Sequence, residues 1–380
     1  MEISSDKAVD LHSFGWLLDY GESKSLVSSM WSSMDHLRNY PIEEVSRHIL
    51  FLLTLERYGY LEKVDGSESI ASLLQSANVD KLPYYTALRE LAANGNLLLR
   101  DEIPEEIKQI IAKVKEANSQ AFSSYFPRLF DDLLYGMFSA NTKAGGSYLL
   151  TEYMRGLLSG VAEIPKDGEV FNPFAGLASF GFHLPEGSSY FGQEINEQAY
   201  DFARLRAIAH DVDLGGYFDI RREDTFTSWP SNRKFDVIIS NPPFGIRLTK
   251  YGREVSSFRG AQNFLIRNGV ELLKPQGKLV VLVSEGFLFR GGAEQKTRQY
   301  LVENDLIETI IAIPQGMLNG TSIATAILVV NKDKKSRDKV KFSSPTAINI
   351  DNETERMMFL GGNYSGCQRM HFQKKAYFSP

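Results

Sequence analysis

Asn241-Pro242-Pro243-Phe244-Gly245 follows directly on Phe235-Asp236-Val237-Ile238-Ile239-Ser240. The second segment is an apolar run bounded by turn residues, and it predicts a buried strand ending in a tight turn. Two prolines fix φ twice and remove two N–H donors, so the chain continues neither as strand nor as helix. An amide, two free carbonyls and an aromatic ring are therefore held stiffly at the carboxyl end of a strand. Ligands of open α/β sheets bind at such ends.

Strand signals flank this turn on both sides. Upstream, Glu169-Val170-Phe171 reads as a short strand that enters the small-residue turn Asn172 to Phe180. Ser189 to Gln193 reads as the next strand and ends in Glu194. Ala199, Phe202, Ala203, Arg206 and His210 keep helical spacing, and Tyr217 to Ile220 leads to Asp224. Downstream come a long loop from Ile246 to about Gly260, a helix from Phe264 to Leu273, and a strand from Lys278 to Val283 opened by Gly277. Leu306–Ile313 and Ser322–Asn331 are joined by only a short Pro/Gly loop, which predicts an antiparallel pair. The order points to an α/β fold, a Rossmann-like doubly wound sheet, mostly parallel.

Residues 1–142 read as helical throughout and make an N-terminal all-helical domain. Ile107, Ile110, Ile111 and Val114 fall on one face behind the helix start Pro104-Glu105-Glu106. Pro41 separates two more helical stretches, and Leu73-Leu74 and Leu88 to Leu91 belong to others. Ala140 to Gly146 reads as a linker, residues 143–335 as the α/β domain, and residues 336–380 as a tail with short strand-like pieces. The charge run Lys332 to Arg337 reads as a solvated loop.

Composition narrows the partners. A net charge of −5 over 380 residues argues against gripping nucleic acid with the whole surface, so any such contact is local or shared. A single cysteine, Cys367, excludes an internal disulfide and a cysteine-rich zinc site, and it has no base partner nearby in sequence. His183, His210 and His371 show no ligand spacing, so no metal is expected. The start, Met1 to Asp6, is no signal peptide, and the longest apolar run, Ile49 to Leu53, is too short to span a bilayer. A cytoplasmic protein is expected.

The turn suits methyl transfer to an exocyclic amine. Such an amine is a poor nucleophile because its lone pair is delocalised into the ring. The Asn241 side-chain oxygen and the Pro242 carbonyl would accept its two hydrogens, Pro243 would keep the turn rigid, and Phe244 would stack on the base. The same residues would also serve as a plain turn, since Asn-Pro is a common turn starter. Further acceptors follow in order. Gly176 ends a strand where backbone approaches a ligand, and Glu194 stands at the next strand end, where a ribose diol is held in nucleotide-binding α/β folds. Asp224 stands at the third strand end, where an adenine amine needs an acceptor. Each acid alone would equally cap a helix. The three together fit S-adenosylmethionine, a methyl donor that carries a nucleoside.

Here the chain resembles the N6-adenine DNA methyltransferases, specifically the modification subunit of type I restriction–modification systems. The resemblance runs from about Gly146 to Asn331. It rests on Phe235 to Gly245, on Gly192-Gln193-Glu194-Ile195-Asn196, and above all on Ser284 to Glu294. Arg298-Gln299-Tyr300-Leu301, Ile313-Pro314 and Gly320 to Thr325 extend it. It implies a class I S-adenosylmethionine-dependent methyltransferase, with Thr151, Asn172, Pro173, Ala175, Gly176, Glu194, Ile195, Asp224 and Thr225 about the donor. It also implies a separate specificity subunit and a restriction subunit as partners. The chain departs from the family at Asn172, where an acid is usual, at Ala178 and Ser179, where glycines are usual, and at Glu152, where proline follows threonine.

Arg247, Lys250, Arg253 and Arg259 lie in the loop that leaves the strand before Asn241 and are candidates for phosphate contact beside the target base; a solvated mobile loop is the alternative. Arg290 and Glu294 have the spacing of a helical pair. The implied function is transfer of a methyl group to adenine N6 in DNA. Rivals are a methyltransferase acting on an RNA guanine amine or a protein glutamine, and a catalytically silent DNA-binding or scaffold subunit.

Overall fold

The computed structural model describes residues 42–61, 74–75, 79–94, 126–135, 150, 152–314, 318 and 323–343. The helix expected around Ile107 to Val114, the linker at 140–146, Pro41, Leu73, Thr151, Gly320 to Ser322, His371 and Cys367 lie outside the described residues.

The chain divides into two compact units, 1–146 with 197–214, and 147–196 with 215–380. In the first unit, α1 (Ile42–Arg57) buries a continuous run, Ile49 to Leu53 with Leu55. Further helices are α2 (Tyr85–Ala93), which buries Leu88 and Leu91, and α3 at residues 126–135. Leu74, expected in a helix, is buried in a turn instead. The segment 197–214, read from sequence as part of the α/β domain, groups with this helical unit through α5 (Glu197–Ala209). Its Arg206 grips Asp131 with two hydrogen bonds, 2.6 and 2.7 Å. Burial alone would raise the Asp131 pKa, but Arg206 and His210 outweigh it and hold the carboxyl below its ordinary range.

The second unit is built on one eight-stranded sheet in the order β3-β2-β1-β4-β5-β7-β6-β8. The strands are β1 (Glu169–Asn172), β2 (Ser189–Glu194), β3 (Phe218–Arg222), β4 (Phe235–Ser240), β5 (Leu273–Ser284), β6 (Ile307–Ile313), β7 (Thr325–Asn331) and β8 (Lys341–Ser343). The first five are mutually parallel, and β7 inserts antiparallel between β5 and β6. β8 adds a parallel edge beside β6, so the sheet continues past the boundary expected at 335. Every residue of β7 is buried, the pattern of a strand covered on both faces. Phe171 stacks on both Phe191 (5.2 Å) and Phe235 (4.8 Å), an aromatic column across β1, β2 and β4.

The remaining helices are α4 (Glu152–Ala162), α6 (Arg253–Ser256), α7 (Ala261–Leu272) and α8 (Ala293–Glu303). Arg290 precedes α8, and Gly292 with φ 76 breaks the path between them, so Arg290 and Glu294 do not share a helix. Glu294 acts electrostatically on Arg298 of the same helix instead. The chain winds outward from β1 to β3, then restarts at β4 on the other side of β1. That reversal, between β1 and β4, is the topological switch point beside which open α/β sheets take their ligands, at the carboxyl strand ends. No helix among the described residues is long and apolar enough to cross a membrane.

Candidate active site

The strand ends on either side of this reversal carry the predicted acceptors. Asn172 ends β1, Glu194 ends β2, Asp224 follows β3, and Asn241 follows β4. Pairing Asn172 with Gly192 and Glu194 with Arg222 brings the first three to one edge of the sheet.

The turn after β1 is tied tightly to Glu194. The Gly176 N–H donates to Glu194 Oε2 at 2.7 Å, and the Asn196 N–H donates to Glu194 Oε1 at 2.7 Å. These bonds and a third from the Ile195 N–H leave only part of the carboxylate's acceptor capacity open. Burial pushes the Glu194 pKa up, and the backbone N–H groups only partly offset it. Gly176 sits at φ 54, which glycine adopts without strain. Gly192 has a different reason: a Cβ there would stand 2.9 Å from the Tyr190 ring and 3.1 Å from Ala175 Cβ. Ala175 is buried, and its N–H donates to the Gln193 carbonyl at 2.9 Å. Ile195, beside the acid, is 58% exposed, an apolar side chain held out at the strand ends.

Two expected cofactor residues act on the scaffold. Asn172 is 2% exposed. With its nitrogen facing Ile239 O (3.2 Å) and Ser240 Oγ (3.0 Å), its oxygen receives the Tyr190 hydroxyl (3.3 Å). The amide thus ties the ends of β1, β2 and β4. Thr225 is buried too, and its hydroxyl donates to the Pro173 carbonyl, clamping the turn from the β3 side.

Asp224 is engaged twice. Its Oδ1 receives the Phe226 N–H at 3.0 Å, and its Oδ2 receives the Tyr251 hydroxyl at 2.9 Å. Burial, with help from Asp224, pushes Tyr251 up to about 12. No sequence signal marked Tyr251, because its meaning depends on where the loop folds. That loop is packed, not merely solvated. Leu248 is fully buried with Phe226, Ala261 and Phe264, while Tyr251, Val255 and Phe258 pack against them. Arg247 bridges Gly260, which closes the loop on itself. Arg247, Lys250, Arg253 and Arg259 all remain exposed. Among the described residues none of the four pairs with an acid.

The turn itself places Pro242 in the interior and leaves Pro243 and Phe244 half-buried. Asn241 Oδ1 is buried and has no hydrogen-bond partner. A buried acceptor left open costs about 1–3 kcal/mol, which makes Asn241 Oδ1 a candidate contact for an incoming donor.

The N-6 DNA methylase family model matches residues 126–360. The chain belongs to the N-6 DNA methylase family. Among curated proteins, the type I restriction enzyme MpnII methylase subunit of Mycoplasma pneumoniae is 27% identical to this chain over 311 residues. That match covers 72% of this chain and 55% of the relative, so the chain spans about half the relative's length. The crystal structure of a type I restriction–modification methyltransferase subunit from Streptococcus thermophilus has the same fold, with a TM-score of 0.62 at 21% identity, over 89% of this chain and 92% of that one. A Listeria monocytogenes protein assigned to the class I S-adenosylmethionine-dependent methyltransferases matches at TM-score 0.53 and 16% identity, over 84% of this chain and 99% of that one. The sheet accordingly has the Rossmann-like α/β fold of both matched structures.

Proposed function

We propose that this chain transfers a methyl group from S-adenosylmethionine to the N6 amine of adenine in DNA, as the modification subunit of a restriction–modification system. The observation that carries the reading is Asn241 Oδ1, a buried acceptor without a partner on a proline-stiffened turn. The amine donates one hydrogen to it and the other to the Pro242 carbonyl. Nitrogen then moves toward tetrahedral geometry, and its lone pair is directed out of the ring plane at the methyl group. Phe244 stacks on the extruded base, which costs a few kcal/mol to unstack from the duplex.

S-adenosylmethionine supplies an electrophilic methyl group carried on a sulfonium. The residues present fit that donor. The buried Glu194 carboxylate keeps lone pairs for the ribose diol, Gly176 and Ala175 shape the turn beside it, and the exposed Ile195 offers an apolar face to a nucleobase. Asp224 stands two residues past β3, with one oxygen already shared with Tyr251. Thr151 belongs to the same proposed set from the sequence resemblance. Asn172, Pro173 and Thr225 hold the turn in shape.

The four exposed cations of the 247–259 loop supply phosphate contacts beside the base. With a net charge of −5, the chain is suited to sharing DNA with a partner. The M. pneumoniae relative is named as a subunit, which supports a separate specificity protein and a restriction subunit as those partners. On this reading residues 1–142 form the docking domain, 143–335 the catalytic domain and 336–380 its extension, and the assembly works on cytoplasmic DNA. The test is genome-wide mapping of N6-methyladenine in cells with the chain, without it, and with Asn241→Ala. A methylated motif lost in the second and third cells supports the reading. Identical maps in all three overturn it, and calorimetric binding of S-adenosylmethionine then tells a silent scaffold from an enzyme with another substrate.

A further inference from the structure

In the second unit, three buried side-chain polar atoms of described residues lack a hydrogen-bond partner: Asn241 Oδ1, Gln262 Nε2 and Asn263 Oδ1. All three lie on one stretch of chain, the turn after β4 and the first turn of α7. Such atoms are rare in a folded interior, and each carries a desolvation cost. The proposed reaction uses the first. Asn263 is held to the loop by its nitrogen, which donates to the Phe258 carbonyl at 3.1 Å. Gln262 remains. Its one polar contact is the Ser284 hydroxyl, which reaches Gln262 Oε1 at 3.5 Å. Ser284 ends β5, the strand that runs beside β4 with Ser240 opposite Val281. The amide nitrogen of Gln262 is thus an open donor at the same strand ends as the open acceptor of Asn241.

We propose that Gln262 reads the target base, donating from Nε2 to the ring nitrogen beside the amine that Asn241 receives. The inference rests on the adenine-methylating reading above and deepens it. Adenine presents an amine donor next to a ring-nitrogen acceptor, the complement of an acceptor and a donor on the protein. A single Asn or Gln often spans that pair on duplex DNA. Here two amides divide the work, because Asn241 is committed to the amine. Guanine would place its O6 acceptor against Asn241 Oδ1, acceptor to acceptor. Cytosine offers the same amine and ring-nitrogen pair on its N3 edge, and only a hydrogen-bearing carbon where adenine has N7, so it is refused when N7 is the nitrogen read.

The decisive variant is Gln262→Glu. Its carboxylate still accepts from Ser284, so a purely structural role survives, but the donor is gone. Full-length wild type and variant are compared in single-turnover methylation of oligonucleotides whose adenines are all normal, all 7-deazaadenine or all 1-deazaadenine. Calorimetry with S-adenosylmethionine controls for the donor site. The expected result is a loss of roughly 10- to 100-fold for Gln262→Glu on normal adenine, with unchanged donor affinity. Wild type should lose a similar factor on one of the two analogues, and the variant should lose nothing more on it. Equal rates for variant and wild type on normal adenine overturn the proposal while leaving the proposed function intact. So does a wild type indifferent to both analogues. A wild type that, co-purified with its specificity subunit, methylates no adenine in any oligonucleotide overturns both.

Discussion

The Tyr251 hydroxyl donates to Asp224 Oδ2 at 2.9 Å, which joins the loop bearing the four exposed cations to the end of β3. The bond lets whatever orders one end bias the other, and any such coupling is reciprocal. Tyr251→Phe keeps the ring packing against Phe226 and removes only the bond. The expected outcome is that S-adenosylmethionine tightens DNA binding less in the variant than in the wild type. Fluorescence titration with and without the donor checks this, and equal tightening in both proteins would remove Tyr251 from the coupling.

Asn241→Ala should abolish turnover and leave the methyl donor bound. Removing one preorganised acceptor typically costs about 10²–10³ in rate. The open acceptor lies on the β4 turn, whereas the proposed ribose contacts gather at Glu194, so calorimetry should show an affinity close to wild type. Methylation at wild-type speed by the variant would detach the chemistry from this turn.

Glu194 gives a pH dependence. Burial raises its pKa above the ordinary carboxylate value, and a ribose diol donates to the charged form. Donor affinity should therefore fall as pH drops through this raised pKa, at a higher pH than an exposed glutamate would give. Glu194→Gln should bind the donor weakly at every pH, with that dependence gone. Calorimetry across the acid range checks both statements, and a parallel pH profile for the two proteins contradicts them.

Ala178 sits at φ 53 in the turn after β1, where a Cβ is strained. Ala178→Gly should raise stability by about 1 kcal/mol by relieving the left-handed conformation. Urea melts of the two proteins measure it. A destabilised variant would mean that packing of the buried methyl outweighs the strain.

The cations of the loop predict a salt slope. Each phosphate neutralised contributes about −0.9 to the slope of log affinity against log salt on duplex DNA. Arg253→Ala and Arg259→Ala should each make the slope shallower by nearly one and weaken all sequences alike. Titrations over several salt concentrations decide it, and an unchanged slope would place the DNA elsewhere.

Much of the second unit was legible because its signals are local. Apolar runs ending in Asn172, Glu194 and Asn241 give strands whatever surrounds them, and the short link between β6 and β7 forces them antiparallel. The proline turn likewise carries its geometry within itself. What was not legible depended on long-range contacts. Asn172 reads as a free amide until β2 and β4 bring Tyr190 and Ser240 against it. Tyr251 and Gln262 carry no motif, and only the folding of the loop sets one beside Asp224 and the other beside Ser284. Arg290 and Glu294 have helical spacing, but Gly292 turns the chain between them. The grouping of 197–214 with the helical unit rests on side chains such as Arg206 and Asp131, far apart in sequence, finding each other.

The antiparallel insertion of β7 also sets an order of events during synthesis. β5 is apolar from Leu279 to Val283, and one of its two edges is paired only by residues 325–331. While a ribosome is still making the α8 and β6 segments, that edge has no permanent neighbour. β6 joins β7, not β5, in the finished sheet, so it offers that edge no native partner. The nascent chain therefore passes through a stage with an open hydrophobic strand edge, a known template for misassociation. A ribosome stalled before Thr325 would release a product unable to hide that edge, however well its turn at Asn241 had formed.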